Sequence, residues 1–221
     1  MQKKLGKEVA NVEKAVPFWE KAYQNDHAVA FSSQPNAAVK EIVPLLDKNI
    51  KILEVGCGEG NNCFYLAKQG FCNIDAFDIS ENAVAKVKRR CAAENIRFHI
   101  FAADLTTYEF EKIYDLILCF GTLHFIKKDE WKRFIRNAQE HTSVGGIHII
   151  QMFTDQVPIT EDLAPFAVGL AEDGELKDMY DGWDILQYKS YIFEDEHDHM
   201  PKHFHSANKI TVRKTETGEK I

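Results

Sequence analysis

The chain has 221 residues, 45% of them hydrophobic, and a formal net charge of −7. That length supports one well-buried α/β domain and is short for two, while the negative charge opposes contact with phosphate backbones, whose recognition depends on Lys and Arg. A small-molecule partner is favoured, with no nucleic acid and no membrane. No apolar run approaches the ~20 residues of a bilayer span, and residues 1–8 lack the apolar core of a secretory leader, so a cytoplasmic protein is expected. Cys57, Cys63, Cys72, Cys91 and Cys119 are odd in number and never form C-x-x-C, which points to reduced thiols.

Residues 17–23 read as a short helix carrying Phe18, Trp19 and Tyr23, followed by a polar stretch and Phe31. Residues 1–35 are therefore expected to form a lid segment outside the sheet, ahead of a domain of residues 36–221. Asn36 caps a helix whose Val39, Ile42 and Val43 share one face, with Pro44 tolerated near its end. Ile52-Leu53-Glu54-Val55 is a short apolar run suited to a buried strand, and Gly56, Gly58 and Gly60 then let the backbone turn tightly into a helix over residues 61–69. A second strand, residues 73–78, ends on Asp78, whose carboxylate suits the two hydroxyls of a ribose.

Ser80 caps the next helix, in which Val84, Val87 and Cys91 recur at helical spacing and Lys86, Lys88, Arg89 and Arg90 are expected to face solvent. Residues 97–102 and 114–120 read as the third and fourth strands. Asp129 opens an amphipathic helix with Trp131, Phe134, Ile135 and Ala138, and Gly145-Gly146 turns into a fifth strand. Residues 154–173, with Pro158 and Pro165, arch over the site, and residues 174–183 read as a helix between two glycines. Two β-rich runs, 184–193 and 204–213, form an antiparallel hairpin. This alternation requires an α/β fold with a mostly parallel sheet, helices on both faces and ligands at the carboxyl ends of the strands.

The glycine spacing separates two kinds of ligand. A dinucleotide fingerprint is G-x-G-x-x-G with a pyrophosphate on the helix, whereas this chain has G-x-G-x-G with Glu54 two residues before the first glycine. A carboxylate there repels a pyrophosphate and suits a ligand bearing an ammonium and a sulfonium, such as S-adenosylmethionine. The segments Glu54 to Gly60, Asp78, Ala102-Ala103-Asp104-Leu105, Tyr114 to Phe120 and Val144 to Ile150 resemble, in order, the motifs of class I S-adenosylmethionine-dependent methyltransferases. The run Gly56 to Asn62, the stretch Gly174 to Trp183 and the closing Val212-Arg213-Lys214 look most like the tellurite-resistance (TehB-like) branch and, more loosely, thiopurine methyltransferases. One departure is Asn61, where related sequences often carry arginine.

The resemblance implies a Rossmann-like seven-stranded sheet with a C-terminal hairpin, S-adenosyl-L-methionine as cofactor, and methyl transfer to a small acceptor such as a chalcogen oxyanion or thiol. It assigns the cofactor to Glu54, Gly56, Cys57, Gly58, Asn62, Asp78, Ile79, Asp104, Leu105 and Phe120. The rival readings are a non-catalytic S-adenosylmethionine-binding protein and a nicotinamide-dependent oxidoreductase.

Catalytic candidates are His124 and Tyr23. His124 follows the fourth strand and serves either as a proton acceptor for a hydroxyl or amine substrate or as a packed ring; a soft chalcogen nucleophile needs no base. Tyr23, with Trp19 and Phe31, forms either an aromatic lid over a sulfonium or a docking surface for the first helix. His197, His199, His203 and His205 gather at the hairpin turn, where they contact an anionic substrate, hold a metal or form a solvated rim; no metal ligand set is assigned from the sequence.

Overall fold

The computed structural model describes residues 16–197 and 200–216. Among them, seven strands form one sheet in the order β3-β2-β1-β4-β5-β7-β6. β1 (Ile52–Val55), β2 (Ile74–Asp78), β3 (His99–Ala102), β4 (Tyr114–Phe120) and β5 (Thr142–Phe153) run parallel. β7 (Met200–Arg213) is antiparallel to β5 and to β6 (Asp184–His197), so β6 runs with the first five strands and the hairpin turn lies at their carboxyl ends. The expected α/β sheet with its closing hairpin is therefore present.

The pleat divides the apolar residues between two cores. Leu53, Val55, Ile117 and Cys119 face α5 (Lys128–Glu140) and α6 (Glu175–Asp178), against Trp131, Phe134, Ile135 and Leu176. Ile52, Leu116 and Leu118 face the other way, against α2 (Ala37–Ile42), α3 (Asn61–Lys68) and α4 (Glu81–Glu94), meeting Val39, Phe64, Leu66 and Val87. Asn36 caps α2 by accepting the Ala38 N–H, and Ser80 caps α4 by accepting that of Ala83. Residues 154–173 are anchored by Trp131 Nε1, which donates to the Gly169 carbonyl at 3.0 Å.

Several boundaries differ from expectation. β6 and β7 extend past Phe193 and begin before Phe204, pairing Glu194 with Phe204 and Asp195 with His203, because ladder bonding persists through charged residues that side-chain polarity reads as loop. The helix expected over residues 174–183 is confined to Glu175–Asp178, and β5 begins at Thr142, ahead of its two glycines. Lys86 does not face solvent.

α1 (Phe18–Gln24) and the chain after it lie on α4 and cover Lys86, which is 9% exposed. Its ammonium donates to the carbonyls of Ala22, Asn25 and Ala28 at 3.1, 2.8 and 2.6 Å and pairs with Glu59 Oε1 at 2.7 Å. Glu59 Oε2 in turn accepts the Ala30 N–H at 3.1 Å. Arg90 also lies inward, stacked over the Phe64 ring at 3.9 Å. A lysine that looks like the polar face of an amphipathic helix is thus the anchor of the N-terminal segment. Breaking one partner of a buried pair costs about 3–5 kcal/mol. Lys86→Met should lose stability of that order in urea denaturation and expose residues 16–35 to limited proteolysis.

Candidate active site

Gly56 and Gly58 adopt φ of +62° and +51°. A Cβ on Gly56 would lie 2.1 Å from Thr122 Oγ1, and one on Gly58 would lie 3.1 Å from Tyr23 Oη, so the turn is closed to side chains on both counts. Cys57 N–H donates to the Phe77 carbonyl at 3.0 Å, tying the turn to the end of β2. Gly58 N–H donates to Asp78 Oδ2 at 2.8 Å and Ser80 N–H to Asp78 Oδ1 at 2.9 Å. Burial raises the Asp78 carboxyl above the usual aspartate range, opposed by these N–H bonds.

Above the turn, at the carboxyl ends of the strands, lies a cavity of about 810 Å³, within the range that holds a cofactor. Glu54, Gly56, Cys57, Gly58 and Asn62 form its floor, and Asp78, Ile79, Asp104 and Leu105 line the side toward β2 and β3. Phe120 and His124 line it after β4. Trp19, Tyr23 and Phe31 line it from the N-terminal segment, Leu163, Pro165 and Phe166 from the arch, and Phe193, Asp195 and His205 from the hairpin. The N-terminal segment and the arch meet: Trp19 packs against Phe125 at 4.9 Å and Phe166 at 5.5 Å. Tyr23 is buried beside Asp78 and Glu59, and burial with these charges keeps its hydroxyl protonated.

Glu54 is 3% exposed. Asn62 Nδ2 and Cys63 Sγ each donate to its carboxylate at 2.7 Å, yet burial pushes its pKa up to about 7. Asn62 Oδ1 accepts the Asn36 N–H at 2.7 Å, which links the floor to the start of α2. Asn61, in the place of the arginine of related sequences, donates to the Ser32 carbonyl and accepts from Arg90 at 2.8 Å. It therefore ties the N-terminal segment to the turn.

The far end of the cavity is built of stacked rings. The Phe153 ring lies between His124, at 4.3 Å and 12°, and His205, at 4.6 Å and 12°. Phe153 N–H donates to His124 Nδ1 at 3.2 Å, so the neutral ring carries its proton on Nε2, a buried atom with no hydrogen-bond partner among the described residues. Burial, with His205 nearby, lowers the His124 pKa to about 3. His203 Nε2 lies 2.9 Å from His205 Nε2. His197 pairs with Met200 in the ladder, and His199 lies outside the described residues. The sequence reading missed Phe153 and Asp195. Asp195 was legible only if the strand were carried through its acidic end, where it falls opposite His203 on the same face.

The sheet order, the glycine turn and the acid after β2 define a class I methyltransferase fold. Residues 15–214 match the family described as tellurite resistance protein TehB, and the chain belongs to that family. A protein of Haemophilus influenzae (strain 10810) named "Probable S-adenosyl-L-methionine-dependent methyltransferase TehB" is 33% identical over 146 residues, 65% of this chain and 49% of that protein. "Hemagglutinin 1" of Eikenella corrodens is 29% identical over 157 residues, 71% of this chain and 51% of its own length. The crystal structure of TehB from Haemophilus influenzae superimposes with a TM-score of 0.72 and 26% identity, covering 90% of this chain and 66% of that one. The chain thus spans about half the length of these curated relatives.

Glu54 has a consequence for stability. Its folded pKa, about 7, exceeds the ordinary 4.5 of the unfolded chain, so the unfolded state releases its proton first as pH rises. The protonated side chain is fully accommodated below pH 4.5, and stability falls as pH climbs from there to 7. Glu54→Gln should remove this decline, leaving the ligand-free variant more stable than wild type at pH 8 by about 1–3 kcal/mol, with little difference at pH 4.5. Urea denaturation at the two pH values measures it.

Proposed function

We propose that the chain transfers a methyl group from S-adenosyl-L-methionine to a small, anionic or soft acceptor, of the class of chalcogen oxyanions or thiols. The observation that carries this reading is the acidic lining beside the glycine turn: Glu54, Glu59, Asp78 and Asp104 line the cavity there, whereas His124, His205 and Asp195 line it by β4 and the hairpin. The acidic end attracts a cationic ligand and repels a pyrophosphate, which favours S-adenosylmethionine over a nicotinamide dinucleotide. The bare Gly56–Gly58 turn gives close approach to backbone, and Asp78 offers a carboxylate to ribose hydroxyls. The names of the relatives and of the family support the same chemistry.

Bound S-adenosyl-L-methionine supplies a methyl group activated by its sulfonium. What the chain's own residues contribute is alignment and exclusion of water, worth effective molarities of about 10⁵ M or more. Glu54 and Asn62 hold the amino-acid end, Asp78 the ribose, and Ile79, Asp104 and Leu105 the adenine. Tyr23 closes over the glycine turn, and Trp19 with Phe31, against the arch, completes the cover. His124 acts as a donor: its Nδ1 is committed to Phe153 N–H, and a pKa of about 3 makes it a poor proton acceptor at neutral pH. Its Nε2–H is therefore assigned to an acceptor oxygen or sulfur anion, which needs no base.

Asp78→Ala removes charge-assisted bonds worth roughly 1.5–3 kcal/mol each. Calorimetry should show S-adenosylmethionine affinity down at least about tenfold with the fold intact; unchanged affinity would refute the assignment.

The donor role of His124 has its own test, with S-adenosylhomocysteine production followed on selenite, tellurite and thiol acceptors. His124→Gln, which keeps an N–H, should retain more turnover than His124→Phe, and with the cofactor saturating, so that Glu54 is already paired, the wild-type rate should show no step near the ordinary imidazole pKa, ~6.5, that His124→Gln lacks. Equal losses in both variants, or a rate that rises through that pH, would restore the proton-acceptor role.

A further inference from the structure

We propose that Asp195, His203 and His205 form a site for one divalent transition-metal ion of the Zn²⁺ kind at the acceptor end of the cavity. His203 Nε2 and His205 Nε2 lie 2.9 Å apart, and Asp195 Oδ2 lies 3.9 Å from His205 Nε2. One ligand atom from each of the three falls within 4.8 Å of the others. The ladder explains the convergence. Asp195 stands opposite His203 in the β6–β7 register, and His205, two residues on, shares its face.

The rings are oriented before any ion arrives. His203 Nδ1 lies 2.8 Å from the Pro201 carbonyl, which only accepts, so Nδ1 carries the proton and the neutral ring presents the Nε2 lone pair. An imidazole fixed through its other nitrogen by a backbone carbonyl is the usual outer support of a metal-bound histidine. His205 is 2% exposed, and its ring is held flat against Phe153. At 2.9 Å the His205 Nε2–H donates to the His203 Nε2 lone pair, and an ion bound by both rings would take the place of that proton.

The donor set selects the ion. Ligands bound at about 2.0–2.2 Å around a tetrahedral centre stand roughly 3.3 Å apart, so adjustments of at most about 1.5 Å between ligand atoms suffice. Two imidazoles with one carboxylate suit Zn²⁺ and its first-row neighbours and disfavour Mg²⁺ and Ca²⁺, which prefer oxygen alone. Asp195 and His205 line the cavity, which leaves the remaining coordination positions facing the space given to the acceptor. There the ion would hold the acceptor's anionic oxygen or sulfur. That use rests on the methyl-transfer reading; the binding of the ion does not.

The test uses the full chain, tag removed, stripped with EDTA and desalted, with no cofactor present. Calorimetry with Zn²⁺ and visible absorption with Co²⁺ should each show one equivalent bound. His203→Gln, His205→Gln and Asp195→Asn should each weaken binding at least about tenfold, while His99→Gln on β3, far along the sheet, should leave it unchanged. Circular dichroism checks folding. Should the buried His205 variant unfold, the more exposed His203 and Asp195 variants decide the matter. Absence of stoichiometric uptake by wild type, or uptake unchanged in His203→Gln and Asp195→Asn, would overturn the site. Because no cofactor or acceptor enters this assay, a negative result leaves the methyl-transfer reading standing, and failed turnover leaves the metal site standing.

Discussion

The hydrogen bond from Gly58 N–H to Asp78 joins the turn after β1 to the end of β2, and the rest of the site is arranged around that joint. The bond requires a backbone N–H turned toward the neighbouring strand, which in turn requires a left-handed residue at Gly58. Once this geometry is fixed, Tyr23 can rest against the bare Cα of Gly58 and Thr122 against that of Gly56. Two segments far apart in sequence, the lid and the loop after β4, thereby take their positions from the same two missing side chains. A methyl group at either glycine would displace one wall of the cavity as well as straining the turn.

The acids of the cavity raise a question of electrostatics. Glu54, Glu59, Asp78 and Asp104 all line it, and so much like charge in one place opposes its own ionisation. The chain answers in two ways. Glu59 is paired with Lys86, whose ammonium also meets carbonyls of the N-terminal segment, so the same cation that relieves the repulsion fastens that segment. Glu54 is left without a cation and half protonated near neutrality, its lone pairs met by Asn62 and Cys63. A ligand ammonium placed there would complete the pairing, and the cost of burying Glu54 alone is the measure of how strongly the site favours a cation.

How much of this was legible in the sequence follows from the range of the interactions. β1, β2 and β4 were readable because they are largely buried on both faces and so appear as short runs rich in apolar residues, as with Leu116–Phe120 within β4. The glycines and Asp78 were readable because each answers a local demand, a backbone conformation or a strand end. Lys86 was not, since its solvent-facing pattern on α4 is correct for the helix alone and is overturned only by a segment about sixty residues earlier. Asp195 and Phe153 were hidden for related reasons. The first sits in an acidic run that composition reads as loop, and the second is one of several apolar residues in β5 whose particular role depends on the rings placed on either side.

Phe153 shows how a residue without polar side-chain atoms can organise acid–base chemistry. Its N–H fixes the proton of His124 on Nε2, and both the His124 and the His205 rings stack on its ring, each at 12°. Because a positive charge on either imidazole raises the cost of one on the other, His205 contributes to the lowered pKa of His124. His124 is therefore held neutral at this end of the cavity. The cavity lining is divided accordingly: Glu54, Asp78 and Asp104 lie by the glycine turn and the ends of β2 and β3, and His124, His205 and Asp195 lie by β4 and the hairpin, so a positively charged group gains most beside Glu54 and Asp78.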